Sequence, residues 1–170
     1  AEDCVRSGLH TVHVSIDGAS AAVYEAIRVR AHFDKVLRNL RRLTHAKAQL
    51  QSELPHICLV CVVMRSNLSE LPDLVRLAHE EGIDVLSVQH LCHDFSESTL
   101  PEQYRPMRAF IEQETLLNED ASRVEDFFGL ARQTAQARGI ELRLPNVRSK
   151  RHAPGVTGRA RCDWPWRGAY

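Results

Sequence analysis

Polar side chains follow three apolar stretches of this chain, at the points where each stretch ends. Ser15 and Asp17 close the first stretch, Asn67 comes shortly after the second, and Gln89 stands at the end of the third. If the stretches are parallel strands, their carboxyl ends lie at one edge of a sheet, where α/β proteins bind ligands. Hydroxyl, carboxylate and amide groups gathered there predict a binding site for a small molecule.

A structural role is the alternative for some of these residues. Asn67, three residues before Glu70, has the spacing of a capping box, so capping a helix and binding a ligand stay equally open for it. Ser15 and Asp17 could start a turn. Thr11 and His13 extend the same polar face inward, however, whereas a purely structural barrel interior is filled with branched apolar side chains. This favours a functional role for Ser15 and Asp17.

The elements that must position these groups follow from hydrophobic periodicity. Apolar and polar residues alternate from 10 to 17, and residues 56–64 form a short, nearly continuous apolar run. Between these stretches, and again in the residues that end at Arg138, apolar residues recur at helical spacing. Strand and helix thus alternate with short loops, which predicts an α/β fold with parallel strands. The predicted strands are 10–17, 56–64, 83–91 and a short one at 140–144, and the last long helix is 120–138.

The spacing of the five cysteines does not indicate a disulfide framework. An odd number, with no secretory signal at the amino terminus, does not suggest disulfides and favours a cytoplasmic protein. Cys58 and Cys61 are three apart on a predicted strand, so they face opposite sides and are interpreted as buried apolar residues. Cys162 begins the sequence Cys-Asp-Trp-Pro-Trp. Its rings could shield a metal cluster, or the thiol could stand alone in a hydrophobic turn.

Composition excludes two partner classes. Lys and Arg number 22 and Asp and Glu number 22, a balance that does not fit a dedicated nucleic-acid binder. Residues 145–161 hold five basic residues and no acid, but no aromatic residue is interleaved, so a linker is favoured over a nucleic-acid arm. No apolar run approaches the roughly 20 residues that cross a bilayer. The sequence therefore predicts no nucleic-acid and no membrane partner.

Taken together, several segments resemble the radical S-adenosylmethionine (SAM) enzymes that carry a carboxyl-terminal SPASM extension. The match covers most of the chain outside residues 92–118. Its two most specific parts, in this order, are the strand that ends Ser-Ile-Asp-Gly at 15–18 and the Cys-Asp-Trp-Pro-Trp element at 162–166. Weaker parts lie between them. They are Tyr24–Arg28, Phe33–Val36, Val62–Asn67, Glu70–Val75 and Gly82–Asp84.

The resemblance implies a fold and a set of site residues. The catalytic domain of that family is a partial (β/α)6 barrel, of the TIM-like kind, and strands 10–17, 56–64 and 83–90 would be its fourth to sixth. Ser15 and Asp17 would lie beside SAM, and Arg28 would hold its carboxylate through two parallel hydrogen bonds. Asn67 and Gln89 would line the same rim.

The resemblance also implies cofactors and partners. SAM and a 4Fe-4S cluster would be the cofactors. The cluster of this family donates an electron that cleaves SAM to a 5′-deoxyadenosyl radical, which abstracts hydrogen from substrate. A peptide or protein substrate and an electron donor would be the partners. Cys162 would be a ligand of an auxiliary cluster, and no catalytic residue is assigned.

The chain departs from this family in one large respect. The Cys-x3-Cys-x2-Cys motif that holds the cluster is absent, and the extension is cut eight residues after Cys162. We therefore expect residues 1–144 to be the carboxyl-terminal part of the barrel, 145–161 a basic linker and 162–170 the start of a SPASM domain. Such a chain is not expected to be active alone. The alternative is a non-catalytic α/β module for binding or scaffolding that has lost the cluster motif.

Overall fold

A computed structural model of the protein describes residues 1–91 and 102–147. In this part the chain alternates between helices and strands. The strands are β1 Thr11–Ser15, β2 His56–Val63, β3 Val85–His90 and β4 Glu141–Arg143. The α-helices are α1 Glu2–Arg6, α2 Ala21–Ile27, α3 Phe33–Gln49, α4 Leu71–Glu80, α5 Arg105–Glu114 and α6 Ala121–Arg138. Short 3₁₀ turns occur at Leu68–Glu70, Glu102–Tyr104 and Leu116–Asn118.

The four strands form one parallel sheet in the order in which they occur along the chain. The parallel α/β class predicted from the sequence is therefore confirmed, as are the three long strands, β1 being shorter than predicted. Successive right-handed crossovers that always advance in one direction place their helices on the same side of a sheet. The sheet is thus wound on one side only.

The hydrophobic core agrees with this one-sided winding. Strand residues of the core cluster all belong to one face of the sheet, because they are spaced two apart along each strand. These residues are Ile16, Ile57, Leu59, Cys61, Val63, Leu86 and Val88. Against them pack apolar residues of the helices, among them the fully buried Leu74 of α4 and Phe128 of α6. The core is a layer between one sheet face and the helices.

The opposite face, here called the open face, comprises Thr11, His13 and Ser15 of β1 and the residues in register with them. Within the described part of the chain, none of its side chains belongs to the core cluster. One row across it runs from Ser15 through Val60 and Ser87 to Arg143. Polar groups therefore occur on β1, β3 and β4 of this face, which takes no part in the core between the sheet and the helices.

Local signals in the sequence explain where the helices begin and end. The Ser20 side chain accepts a hydrogen bond from the Val23 N–H and so caps the amino terminus of α2. Gly139 ends α6 in the left-handed conformation at φ 69°. Of the two roles left open for Asn67, the capping box with Glu70 is not formed, because the Asn67 side chain makes no capping hydrogen bond. Both side chains bind other parts of the backbone.

None of the helices in residues 1–91 and 102–147 has the combined length and hydropathy of a membrane-spanning segment.

Candidate functional site

Asp17 lies at the carboxyl end of β1 and joins three elements. Its Oδ1 accepts a hydrogen bond from the Val62 N–H at 2.8 Å, so the side chain extends the β1–β2 ladder after the main chain has turned away. Its Oδ2 accepts a hydrogen bond from Arg28 Nε at 2.6 Å. The residue is only 3% exposed. Asp17 is therefore a buried carboxylate that forms an ion pair with Arg28 at the edge of the sheet.

Arg28, the residue after α2, retains free capacity for hydrogen bonding. Its Nε is committed to Asp17, and the side chain is 36% exposed. None of the hydrogen bonds among the described residues uses its two Nη groups. A guanidinium fixed through Nε presents the Nη groups in a planar pair that suits a carboxylate or a phosphate. Asp17 and Arg28, to which the family resemblance gave separate roles toward SAM, are thus brought together at this edge.

Ser15 and Gln89 also belong to the open face. Both side chains are exposed. Val62 stands in register with Gln89 on one side and binds Asp17 on the other, so Asp17 and Gln89 flank β2 in the same row. Neighbouring strands are about 4.8 Å apart, so the two residues are separated by about 10 Å. Ser15 lies one row below, and the three residues outline one side of a shallow polar surface.

Asn67 lies beneath this surface. Its Nδ2 donates to the Asp17 carbonyl oxygen and to the Val62 carbonyl oxygen, both at 2.9 Å. Its Oδ1 accepts from the Met64 N–H at 2.7 Å. The residue is 2% exposed, and its amide bonds to three backbone groups. Asn67 therefore fixes the loops after β1 and β2 relative to each other.

Glu70 is a residue of the site that the sequence analysis noted only for its spacing. Its Oε2 accepts from the N–H groups of Ala19 and Ser20 at 2.7 and 3.3 Å, and its Oε1 accepts from Ser20 Oγ at 2.6 Å. The loop that carries Asp17 is thus tied to the start of α4. The contact spans about fifty residues of sequence, and no local pattern could have revealed it.

Two other polar groups at this edge contact neighbouring loops. Arg65, just after β2, forms an ion pair with Glu119 at 2.9 Å. His90 Nε2 lies 2.6 Å from the Asn146 carbonyl oxygen, which joins the end of β3 to the residues after β4. Both contacts fix loops at the carboxyl edge of the sheet.

The cysteines in the described residues do not come together. Cys4 is exposed, Cys58 is buried on the open face and Cys61 is buried in the core, as the spacing of three predicted. Burial raises the pKa of the thiols of Cys58 and Cys61, which keeps both protonated at neutral pH. No group of three or more His, Cys, Asp or Glu side chains in residues 1–91 and 102–147 could hold a metal ion. Cys162, like Cys92, lies outside the described residues.

The Cys61 thiol gives the protein a testable pH dependence. Burial raises its pKa in the folded chain above the ordinary 9.0. Below pH 9 the thiol is protonated in both the folded and the unfolded chain, so the fold has its full stability there. Above pH 9 the unfolded chain loses this proton while the folded chain keeps it, and stability falls with rising pH. We expect Cys61→Val to make this decline shallower by up to about 1.4 kcal/mol per pH unit. Urea unfolding between pH 8 and 10 measures it, with the exposed-residue variant Cys4→Ser as the control. Equal slopes in Cys61→Val and the wild type would contradict the assignment.

A scan against protein-family models and a search of curated proteins gave no match to this chain.

Proposed function

We propose that this chain is the carboxyl-terminal half of a radical SAM barrel with the start of a SPASM extension, and that it binds SAM over the open face. One observation carries the proposal. The sheet is wound on one side only, in chain order, and the other face lies outside the core cluster, with polar groups on β1, β3 and β4. A doubly wound sheet would bury both faces under helices. Further units added in the same direction would curl such a sheet into a barrel with the open face inside.

The groups at the carboxyl edge suit the chemistry of SAM. Arg28 would bind the carboxylate of its methionine part through the two Nη groups, while Asp17 holds the guanidinium in place and balances its charge. Ser15 and Gln89 are exposed hydrogen-bonding side chains on the same face and would meet the polar groups of the nucleoside. Asn67 takes the role of a positioning residue beneath Asp17.

The 4Fe-4S cluster of this family does not fit the described residues. Such a cluster needs three thiolates on one side of the site, and Cys4, Cys58 and Cys61 occupy separate environments. The cluster would supply the electron for SAM cleavage, and its ligands would have to come from other residues. Under this proposal the peptide or protein substrate, the electron donor, the auxiliary-cluster role of Cys162 and the cytoplasmic location belong to the intact enzyme.

Titration of the protein with SAM alone tests the binding site. We expect Arg28→Ala to weaken SAM binding by at least about tenfold, because a charge-assisted pair to the carboxylate is lost. Isothermal titration calorimetry measures the affinity, and Arg38→Ala, which removes an exposed arginine of α3, is the matched control. Absence of SAM binding by the wild-type protein, or equal affinities of the two variants, would overturn the proposal.

The second candidate is a non-catalytic α/β module that serves in binding or scaffolding. The observation that favours it is the separation of the three cysteines in the described part of the chain. The codons upstream of Ala1 discriminate between the two. Three cysteines with the Cys-x3-Cys-x2-Cys spacing, followed by release of 5′-deoxyadenosine after anaerobic iron-sulfur reconstitution, favour the enzyme. An intact gene without them favours the module.

A further inference from the structure

Helix α3 carries a line of cations on the side that faces away from the core. Lys35, Arg38 and Arg42 are exposed, and their spacing of three and four residues places them on one side of the helix. These three residues are here called the α3 basic stripe. The core residues of α3 lie on the opposite side of the helix. They are Phe33, Leu37 and Leu40.

Charge is segregated around this stripe. Residues 21–50 carry seven Lys and Arg but only two acids, although the whole chain has equal numbers of both signs. Every arginine that the structure describes between positions 65 and 132 forms an ion pair with an acid. No ion pair among residues 1–91 and 102–147 includes a residue of the stripe. A surface of one sign of charge attracts a partner of the opposite sign.

The acids closest to the stripe leave its cations unpaired. Glu2 and Asp3 of α1 line a cavity of about 420 Å³ together with Arg42, but neither forms an ion pair with it in the described structure. Asp34 precedes Arg38 by four residues on the same helix, and these two also form no ion pair there. The charged groups of the stripe therefore stay available to a partner.

The spacing of the stripe fits an acidic helix. From Lys35 to Arg42 is seven residues, about 10 Å along the helix axis, with successive cations about 4.5–6 Å apart. Acids that recur every three or four residues on a second helix present carboxylates at the same intervals. Helices that pack side by side lie about 8–10 Å apart, a distance that lysine and arginine side chains can bridge.

Nucleic acid and membrane fit the stripe less well. Single-stranded nucleic acid binds through stacking on aromatic side chains as well as through charge, and no aromatic residue is interleaved between positions 35 and 42. A helix that lies on a membrane needs its apolar side free to enter the lipid. Helix α3 instead turns its apolar side to the core.

We propose that the α3 basic stripe docks an acidic helix of a partner protein. Carboxylates of that helix would pair with Lys35, Arg38 and Arg42 through charge-assisted hydrogen bonds. This inference does not rest on the SAM proposal, because the stripe faces away from the core and the sheet. Exposed ion pairs contribute little each and are screened by salt, so the contact should be weak and should depend strongly on salt.

Binding of a synthetic peptide to the full chain tests the proposal. The probe is a fluorescein-labelled, alanine-based helical peptide whose glutamates are spaced by three and four residues, and fluorescence anisotropy at low salt measures its affinity. We expect Arg38→Glu to weaken binding by about tenfold or more, because an attractive pair becomes a repulsive one, and Arg42→Glu to act alike. Arg138→Glu, which makes the same change of charge at an exposed arginine of α6, is the matched control.

A second peptide tests the spacing. It has the same composition, but its glutamates are distributed around the helix, and we expect it to bind more weakly than the probe. The proposal is overturned if the wild-type protein does not bind the probe at low salt, or if it binds both peptides equally. Equal affinities of Arg38→Glu and Arg138→Glu for the probe would overturn it as well.

Two further ligands separate the acidic helix from other polyanions. They are an oligodeoxythymidine and vesicles that contain phosphatidylglycerol. If either binds the wild-type protein more tightly than the probe does, and Arg38→Glu abolishes that binding, the stripe serves nucleic acid or membrane and the proposal is wrong.

Discussion

Asn67→Ala is expected to lower the free energy of unfolding by about 3–5 kcal/mol, an effect larger than that of most single substitutions. The variant removes the amide that bonds to the Asp17 carbonyl, the Val62 carbonyl and the Met64 N–H. Each of these backbone groups, left without a partner in a buried place, costs about 1–3 kcal/mol. Water that enters the space left by the amide recovers part of that cost, which sets the expected range.

Urea unfolding followed by circular dichroism measures the loss, and Asn39→Ala serves as the matched control. Asn39 is exposed on α3, where alanine is the better helix former, so that variant should be as stable as the wild type or slightly more stable. A loss of less than about 1 kcal/mol in Asn67→Ala would show that the three contacts do not hold the two loops together.

The consequence for the site follows from the position of Asn67. It fixes the main chain of Asp17 from below, and Asp17 in turn holds Arg28. Any SAM affinity that depends on Arg28 should therefore fall in Asn67→Ala, even though this amide is buried and need not contact the ligand. A variant that is destabilised but binds SAM as tightly as the wild type would separate the loop contacts from the binding site.

The sequence predicted those parts of this site that depend on periodicity. Alternation from 10 to 17 placed Ser15 and Asp17 on one face, and the three-residue spacing of Cys58 and Cys61 placed the thiols on opposite faces. Both inferences use only the pleat of a strand, which repeats every two residues. The parallel order of the long strands followed from the helices between them.

Long-range contacts were beyond such reasoning. Asn67 and Glu70 carried a local capping-box signal, and a capping box is closed within a single helical turn. In the fold, each side chain instead meets backbone groups of the loop after β1, about fifty residues away. Those backbone groups are unpaired only because the chain leaves the sheet at Asp17, and this is decided by the tertiary structure. The pattern of residue types at 67–70 does not show that backbone groups of the loop after β1 need hydrogen-bond partners.

Gly18→Ala is the second substitution with a large expected effect. A Cβ at this position would lie 2.7 Å from the Tyr24 backbone nitrogen and 3.1 Å from its Cα. Neither atom can move away without displacing the first turn of α2. We expect a loss of about 2–3 kcal/mol of unfolding free energy, typical of an extra methyl group forced into a packed place.

Gly129→Ala is the matched control, and it is expected to have the opposite sign. Gly129 lies within α6, and a Cβ there would meet nothing within 4 Å, so alanine should stabilise the helix by about 0.5–1 kcal/mol. Thermal or urea unfolding of both variants measures the difference. Because the displacement of α2 would also move Arg28 away from Asp17, Gly18→Ala should weaken SAM binding while Gly129→Ala leaves it unchanged. If both variants unfold at the same urea concentration, the close approach of α2 to Gly18 does not constrain this loop.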